Sequence, residues 1–190
     1  MDTTNNTLVI VLAVIALIVV GIIVMAWWRI QRSNRLQERF GPEYDRALEE
    51  KGDRRQAEKE LEARVAHVKA LNVRPLSAEE VNRYALEWQE TQRQFVDEPL
   101  AALQKADRLI REVMKARGYP VEDFEQRVAD ISVDYPELVA DYRGMHRIAI
   151  KEDKAGTEEI RQAMVHGRAL FENLIKQDPK EENINQKEKI

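Results

Sequence analysis

The chain has 190 residues, of which 34% are charged and only 6% aromatic, with a formal net charge of −4 and no cysteine. That length accommodates one domain of ordinary size, with a thin aliphatic core, plus an additional segment. Residues 29–74 hold 12 Lys/Arg against 9 Asp/Glu and residues 75–190 hold 18 against 24, a balance that argues against general nucleic-acid binding; the missing thiols exclude a disulfide framework, thiol catalysis and cysteine-bound zinc.

The first predicted element runs from Leu8 to Trp28, "LVIVLAVIALIVVGIIVMAWW", 21 residues without a charge, an amide or a proline. As a helix it is roughly 31 Å long, against a hydrocarbon core of about 30 Å. Fourteen of its residues are Leu, Ile or Val, contributing on the order of 4 to 8 kcal/mol toward insertion. A buried core helix would show a polar face, and none exists. A cleaved signal peptide would carry a basic start and a shorter apolar run, whereas "MDTTNNT" has no Lys or Arg and the run ends in Trp27-Trp28. Residues 8–28 are therefore expected to be a transmembrane anchor, with both tryptophans at the membrane interface.

Arg29, Arg32, Arg35, Arg39 and Arg46 follow the run, and the seven-residue tail before it has no positive charge. The positive-inside rule places residues 1–7 outside and the remainder in the cytoplasm. Spacings of three, three and four set Arg29, Arg32, Arg35 and Arg39 along one helical stripe. Two uses compete. The arginines either set topology and solvate the helix, the preferred reading, or meet an anionic inner leaflet at roughly 1 kcal/mol each.

Beyond the anchor the apolar positions recur at helical spacing, and the six prolines sit near segment ends. Pro42 to about Lys51 forms a short helix closed by Gly52. Asp53 caps the next, with Ala57, Leu61, Val65, Val68 and Leu71 on one face. "SAEE" is a capping box from Ser77 to Glu80, opening a helix that turns Val81, Tyr84, Ala85, Trp88 and Phe95 inward. "VDEP" starts a helix ending at Gly118, and Val121, Phe124, Val128 and Ile131 mark a short one. Leu138, Tyr142, Met145 and Ala149 mark another, and Thr157 caps the last, which carries Ile160, Met164, Leu170, Phe171 and Leu174.

The predicted fold is all-α: one N-terminal transmembrane helix, basic juxtamembrane and spacer helices over 29–76, and a small antiparallel helical bundle over 77–176. The charged tail 177–190 is expected to be disordered. Residues 29–74 leave three readings open: a semi-rigid spacer, a short coiled coil, or the bundle's first hairpin.

Little of this carries chemistry. His67, His146 and His166 belong to no HExxH or Glu-x-x-His pattern, and the serines and glycines form neither a nucleophile elbow nor a phosphate loop. No catalytic, metal or cofactor residue is assigned. The remaining feature is "RGYPVEDFEQRVADISVDYPE", where Glu122, Asp123, Glu125, Asp130, Asp134, Glu137 and Asp141 stand against Arg127 alone. These acids lack EF-hand spacing. They read as two proline-started corners with negative charge at helix starts, with most of the acids facing water; a docking surface for a basic partner is the alternative.

"RFGPEYDRALEEKGDRRQAEKEL", "WQETQRQFVDEP" and "VMKARGYPVEDFEQRVADISVDYPELVADYR" resemble an uncharacterised group of bacterial proteins with one N-terminal hydrophobic segment and a short helical cytoplasmic region. The likeness spans about Arg39 to Arg143. It implies a bacterial origin and an anchored helical domain, and carries over no activity or site residue. The expected function is a non-enzymatic interaction or scaffold module on the cytoplasmic face of a bacterial plasma membrane. Its partners would be the bilayer's anionic inner leaflet and an unknown protein, without nucleic acid. A self-associating membrane organiser, forming a homo-oligomer, is the first alternative. An enzyme with a carboxylate-based site is the second.

Overall fold

The computed structural model describes residues 2–151 and 155–176, with side chains from Leu17 onward. The regular structure of the described part is all helix, as the periodicity predicts. Eight α-helices follow in order: α1 Asp2–Phe40, α2 Pro42–Lys51, α3 Arg54–Ala70, α4 Ala78–Gln94, α5 Pro99–Arg117, α6 Phe124–Asp134, α7 Val139–Ala149 and α8 Thr157–Ile175, with a 3₁₀ turn at Pro136–Leu138 between α6 and α7. The chain divides into two units between Arg39 and Phe40.

The first unit is the body of α1. Every residue from Leu17 to Trp28 is exposed. Among the described residues no helix is long and apolar enough to cross a membrane. The anchor assigned to 8–28 needs residues 8–16, whose side chains lie outside the described set, as do the 1–7 tail's side chains and the 177–190 tail.

In the second unit the helix ends follow local chemistry. Gly52, at φ 64°, closes α2, and its N–H reaches back to Leu48 O. Asp53 accepts from Gln56 N at 2.9 Å to start α3. Ser77 and Glu80 form the reciprocal capping box that opens α4. Gly118, at φ 97°, ends α5, and a Cβ there would lie 3.0 Å from Asn72 O. That close approach lets Arg74 N donate to Arg117 O at 2.9 Å, stitching the α3–α4 connection to the end of α5.

Two starts differ from the sequence reading. α6 begins at Phe124 behind its cap Asp123, so Glu122 precedes the helix and Pro120 does not start it. α8 begins with Gly156 as cap, its N–H held by Glu159 Oε2 at 3.0 Å, so Thr157 is the first helical residue rather than the cap.

α5 is the centre of the unit, packing against α4, α7 and α8. Leu103, Ala106, Ile110, Val113 and Met114 are fully buried along it. Trp88 of α4 stacks on Phe171 of α8, with ring centroids 4.4 Å apart. α7 crosses α8 closely, because a Cβ on Gly167 would run into Met145 Sδ. The α2–α3 hairpin packs on this bundle through α6 and the 3₁₀ turn, and Leu61 is fully buried. Of the three readings left open for residues 29–74, the part from Phe40 onward is a hairpin of the bundle.

Candidate functional site

Six of the seven acids of residues 122–141 reach solvent, and most of them are engaged locally. Asp123 caps α6 through Gln126 N at 2.7 Å. The backbone N–H groups of Glu122 itself and of Val121 hold the Glu122 carboxyl below its ordinary pKa. Glu125 pairs with Arg143 of α7 at 2.6 Å. Asp134 accepts from Tyr119 Oη at 3.2 Å; burial, and then the Asp134 charge, raise the tyrosine's pKa. Asp141 meets His166 Nδ1 at 3.2 Å. Glu137 is exposed in the first turn after Pro136.

Asp130 leaves the face altogether. It is fully buried, because α3 lies over α6 and turns what the sequence presents as an outward position inward. Gln126 Nε2 donates to its Oδ1 at 2.8 Å, and His67 Nε2 lies 3.6 Å from the same oxygen. Its Oδ2 is buried without a hydrogen-bond partner. Burial pushes this carboxyl's pKa up.

The histidines show a pattern that spacing along the chain does not. Each stands beside an aspartate of another helix. His67 of α3 faces Asp130 of α6, His146 of α7 is 3.0 Å from Asp107 of α5, and His166 of α8 is 3.2 Å from Asp141 of α7. His146 also stacks on Phe124, with ring centroids 4.0 Å apart. Around it Arg127 Nε donates to Tyr142 Oη at 3.4 Å, and Arg111 Nε approaches Asp107 at 3.6 Å. Burial raises the Tyr142 pKa to about 12, with Asp107 adding to the effect and Arg127 and Arg111 opposing it. An Asp–His pair can orient an imidazole for proton transfer. Here the same pair joins α5 to α7, and the ring is covered by Phe124.

Two further arginines tie elements together, Arg117 buried and Arg64 half-buried. Arg117, 3% exposed, donates to Tyr135 Oη at 3.2 Å, to Leu174 O at 3.2 Å and to Arg74 O at 3.4 Å. It supplies a cation to the C-terminal carbonyls of α8, where the helix dipole is negative. Arg64 of α3 pairs with Glu60 at 2.5 Å, approaches Glu43 of α2 at 3.8 Å, and donates to Ser132 of α6 at 3.5 Å. Glu60 also holds Lys51 at 2.5 Å. Burial alone would raise the Glu60 pKa, and Lys51 and Arg64 together bring it below its ordinary value.

Asp107, Arg117 and Arg64 go unmarked in the sequence reading, and Arg127 enters it only as the lone cation among the acids. Their signal was a charge at a position where helical spacing demands an apolar residue. Asp107 stands four residues from Leu103 and three from Ile110, both fully buried. Among the described residues no group of three or more His, Asp or Glu is placed to hold a metal ion. The interface residues predicted on α1 are all exposed: Trp27 and Trp28 at 61% and 70%, with Arg29, Arg32, Arg35 and Arg39 beyond them. No protein-family model, curated protein or solved structure matches the chain.

Proposed function

We propose that the chain is a membrane-anchored, non-enzymatic helical scaffold held on the cytoplasmic face of a bacterial plasma membrane. The observation that carries this reading is the all-round exposure of an apolar helix. From Leu17 to Trp28 every residue faces outward, and Leu17, Ile22 and Trp28 are 72%, 61% and 70% exposed. A helix covered on one side by another protein helix keeps a polar outer face. This one has none, and an apolar surface of that extent in water is far larger than soluble proteins tolerate. Lipid covers all sides at once, with the backbone satisfied inside the helix. The preceding run Leu8–Ala16 is equally apolar and brings the segment to 21 residues. The arginines after Trp28 orient it N-terminus outward, and the resemblance to anchored bacterial proteins agrees.

The scaffold part of the reading rests on how the bundle uses its polar groups. Asp–His pairs, Arg117 and Arg64 join helices to one another, which makes the unit a rigid body to present at the membrane. Of the acids, Glu122 and Glu137 stay exposed and neither join helices nor cap one, and they are the residues to vary when seeking a basic partner. Topology is tested with a single cysteine at Thr3 or at Gln186 in this cysteine-free chain. Intact cells are treated with a membrane-impermeant maleimide. Labelling at 3 and protection at 186 is expected. Labelling at 186 alone places the bundle outside the cytoplasm, and recovery of the chain in the soluble fraction sinks the anchor.

A further inference from the structure

We propose that two copies of this chain pair, antiparallel, through the outward face of α4. The inference goes beyond the anchoring proposed above and draws on it only for local concentration. α4 packs on α5, turning Tyr84, Trp88 and Thr91 inward, and all three are buried. On its other side stand Glu79, Arg83, Leu86, Glu90 and Arg93, all exposed. At 100° per residue these five lie within about 40° of a single line, roughly 150° around the helix from the buried three. Their spacing of four, three, four and three is that of a coiled-coil seam.

The order of charge along this seam is its own complement. From the N-terminus it runs negative, positive, leucine, negative, positive. When a second copy is turned end over end about Leu86, each charge meets its opposite. Glu79 faces Arg93 of the second copy, Arg83 faces Glu90, and Leu86, 64% exposed, meets itself. At 1.5 Å per residue Glu79 and Arg93 each lie about 10 Å from Leu86, and Arg83 and Glu90 about 5 and 6 Å, so both halves stay in register. A parallel pair would set every charge against its own kind. Opposed helix dipoles favour the same antiparallel choice. Within the helix Glu90 accepts from Arg93 Nε at 2.9 Å, and Arg83 Nε lies 3.9 Å from Glu87. Pairing extends these local contacts into a network at the edge of the interface, without burying a charge.

The occupant is a second copy because the chain itself carries the sequence of charges that this face requires, and the contact is the same from both sides, as a two-fold pair demands. The contact is also small. One leucine per copy and four charge pairs, on helices of 17 residues, fall short of the roughly 1,000 Å² of a stable interface. In dilute solution such a pair comes apart. Chains anchored in one bilayer meet at a far higher effective concentration, which makes a weak contact sufficient. The pair therefore belongs to the membrane.

The chain has no cysteine, so a single introduced thiol reports the contact. Full-length Leu86→Cys, Glu79→Cys and Arg93→Cys are expressed in cells, and washed membranes are oxidised with copper phenanthroline. Helix axes about 8 to 10 Å apart bring the two thiols at position 86 within disulfide reach, a Cα separation of about 5 to 6 Å. Two thiols at position 79, or two at position 93, stand about 21 Å apart. Leu86→Cys is expected to give a disulfide dimer, and Glu79→Cys or Arg93→Cys alone none, whereas those two co-expressed link to each other. Adding Arg93→Glu to Leu86→Cys opposes glutamates at both ends and should lower the dimer about tenfold, about threefold for each contact. Adding Glu79→Arg as well restores it. All these positions are exposed, so an unchanged melting temperature is the folding control. A Glu79→Cys dimer as abundant as that of Leu86→Cys, a double swap that fails to restore, or no dimer at position 86 in membranes that retain the chain overturns the pair and leaves the anchor in place. A chain recovered in the soluble fraction refutes the anchor, and the pair then survives only if Leu86→Cys still cross-links there.

Discussion

α1 and α5 are both rich in aliphatic residues and are used in opposite ways. α5 alternates: Leu103, Ala106, Ile110 and Val113 are fully buried, while Arg108, Glu112 and Lys115 are exposed. Its apolar stripe needs other helices, and α4, α7 and α8 supply them. α1 from Leu17 to Trp28 has no polar side, so no protein neighbour could cover it and leave a wettable surface behind. The two also treat charge differently. α1 keeps its arginines beyond the apolar run, whereas the bundle buries Asp107, Arg117, Arg127 and Asp130 among apolar side chains. The arrangement of apolar residues, more than their number, decides whether a helix is covered by protein or by something else.

The largest expected effect sets the same change into both helices. Ile110→Lys puts an ammonium into a fully buried position and costs about 4 kcal/mol or more. The melting temperature of the bundle should fall by about 10 °C or more. Ile18→Lys, at the middle of the apolar run and 57% exposed, should leave that melting temperature unchanged. It weakens membrane retention by about 3 to 4 kcal/mol instead, read as loss of the chain from carbonate-washed membranes. If Ile18→Lys melts the bundle, or stays fully in the membrane fraction, the contrast between the two helices collapses.

Much of that contrast was legible from one sequence. Period-3.6 apolar spacing gave α3, α4 and α5, and the caps at Asp53 and Ser77 and the stops at Gly52 and Gly118 are local chemistry that requires no tertiary information. The acidic stretch was less legible for a physical reason. Helical spacing places Asp130 beside the inward Val128 and Ile131, and whether that flank meets water depends on whether another helix crosses it. α3 does, and the sequence left the place of α3 open because its apolar stripe is narrow. The inter-helix Asp–His pairs were invisible for the same reason: Asp107 and His146 are 39 residues apart, and only the α5–α7 crossing brings them within 3.0 Å. What could have been read is that a charge on a core stripe must find a partner.

A second test sharpens the difference in how the two regions handle charge. Arg117→Ala strips donors from Tyr135 Oη, Leu174 O and Arg74 O at once, leaving buried acceptors unsatisfied. A loss of about 2 to 4 kcal/mol is expected, measured as a lower urea midpoint at unchanged slope. Arg35→Gln on α1 should leave that midpoint where it is. An unchanged midpoint for Arg117→Ala would mean that water replaces the guanidinium, and that the end of α8 is wetter than its burial indicates.

The smallest effect concerns the sign of a single buried charge. Burial raises the Asp130 carboxyl above its ordinary pKa, so the folded chain holds this proton more tightly than the unfolded chain does. Its favourable contribution is full below the ordinary carboxylate value of about 4 and is lost as the pH rises through the higher folded value. At pH 7 the carboxyl is then a modest burden, with Oδ2 lacking a hydrogen-bond partner. Asp130→Asn keeps the shape, keeps an acceptor for Gln126 and never ionises. It should raise the melting temperature at pH 7, and the gap from the parent should close as the pH falls toward 4. Comparing the two chains at each pH cancels the titration of the other carboxylates, including Glu80 and the exposed Glu158, whose pKa values Arg74 and Arg161 hold at about 2. A destabilised Asn variant at pH 7 would reverse the assignment: Asp130 would be an ion held by Arg64 and His67, and the α3–α6 contact would depend on charge.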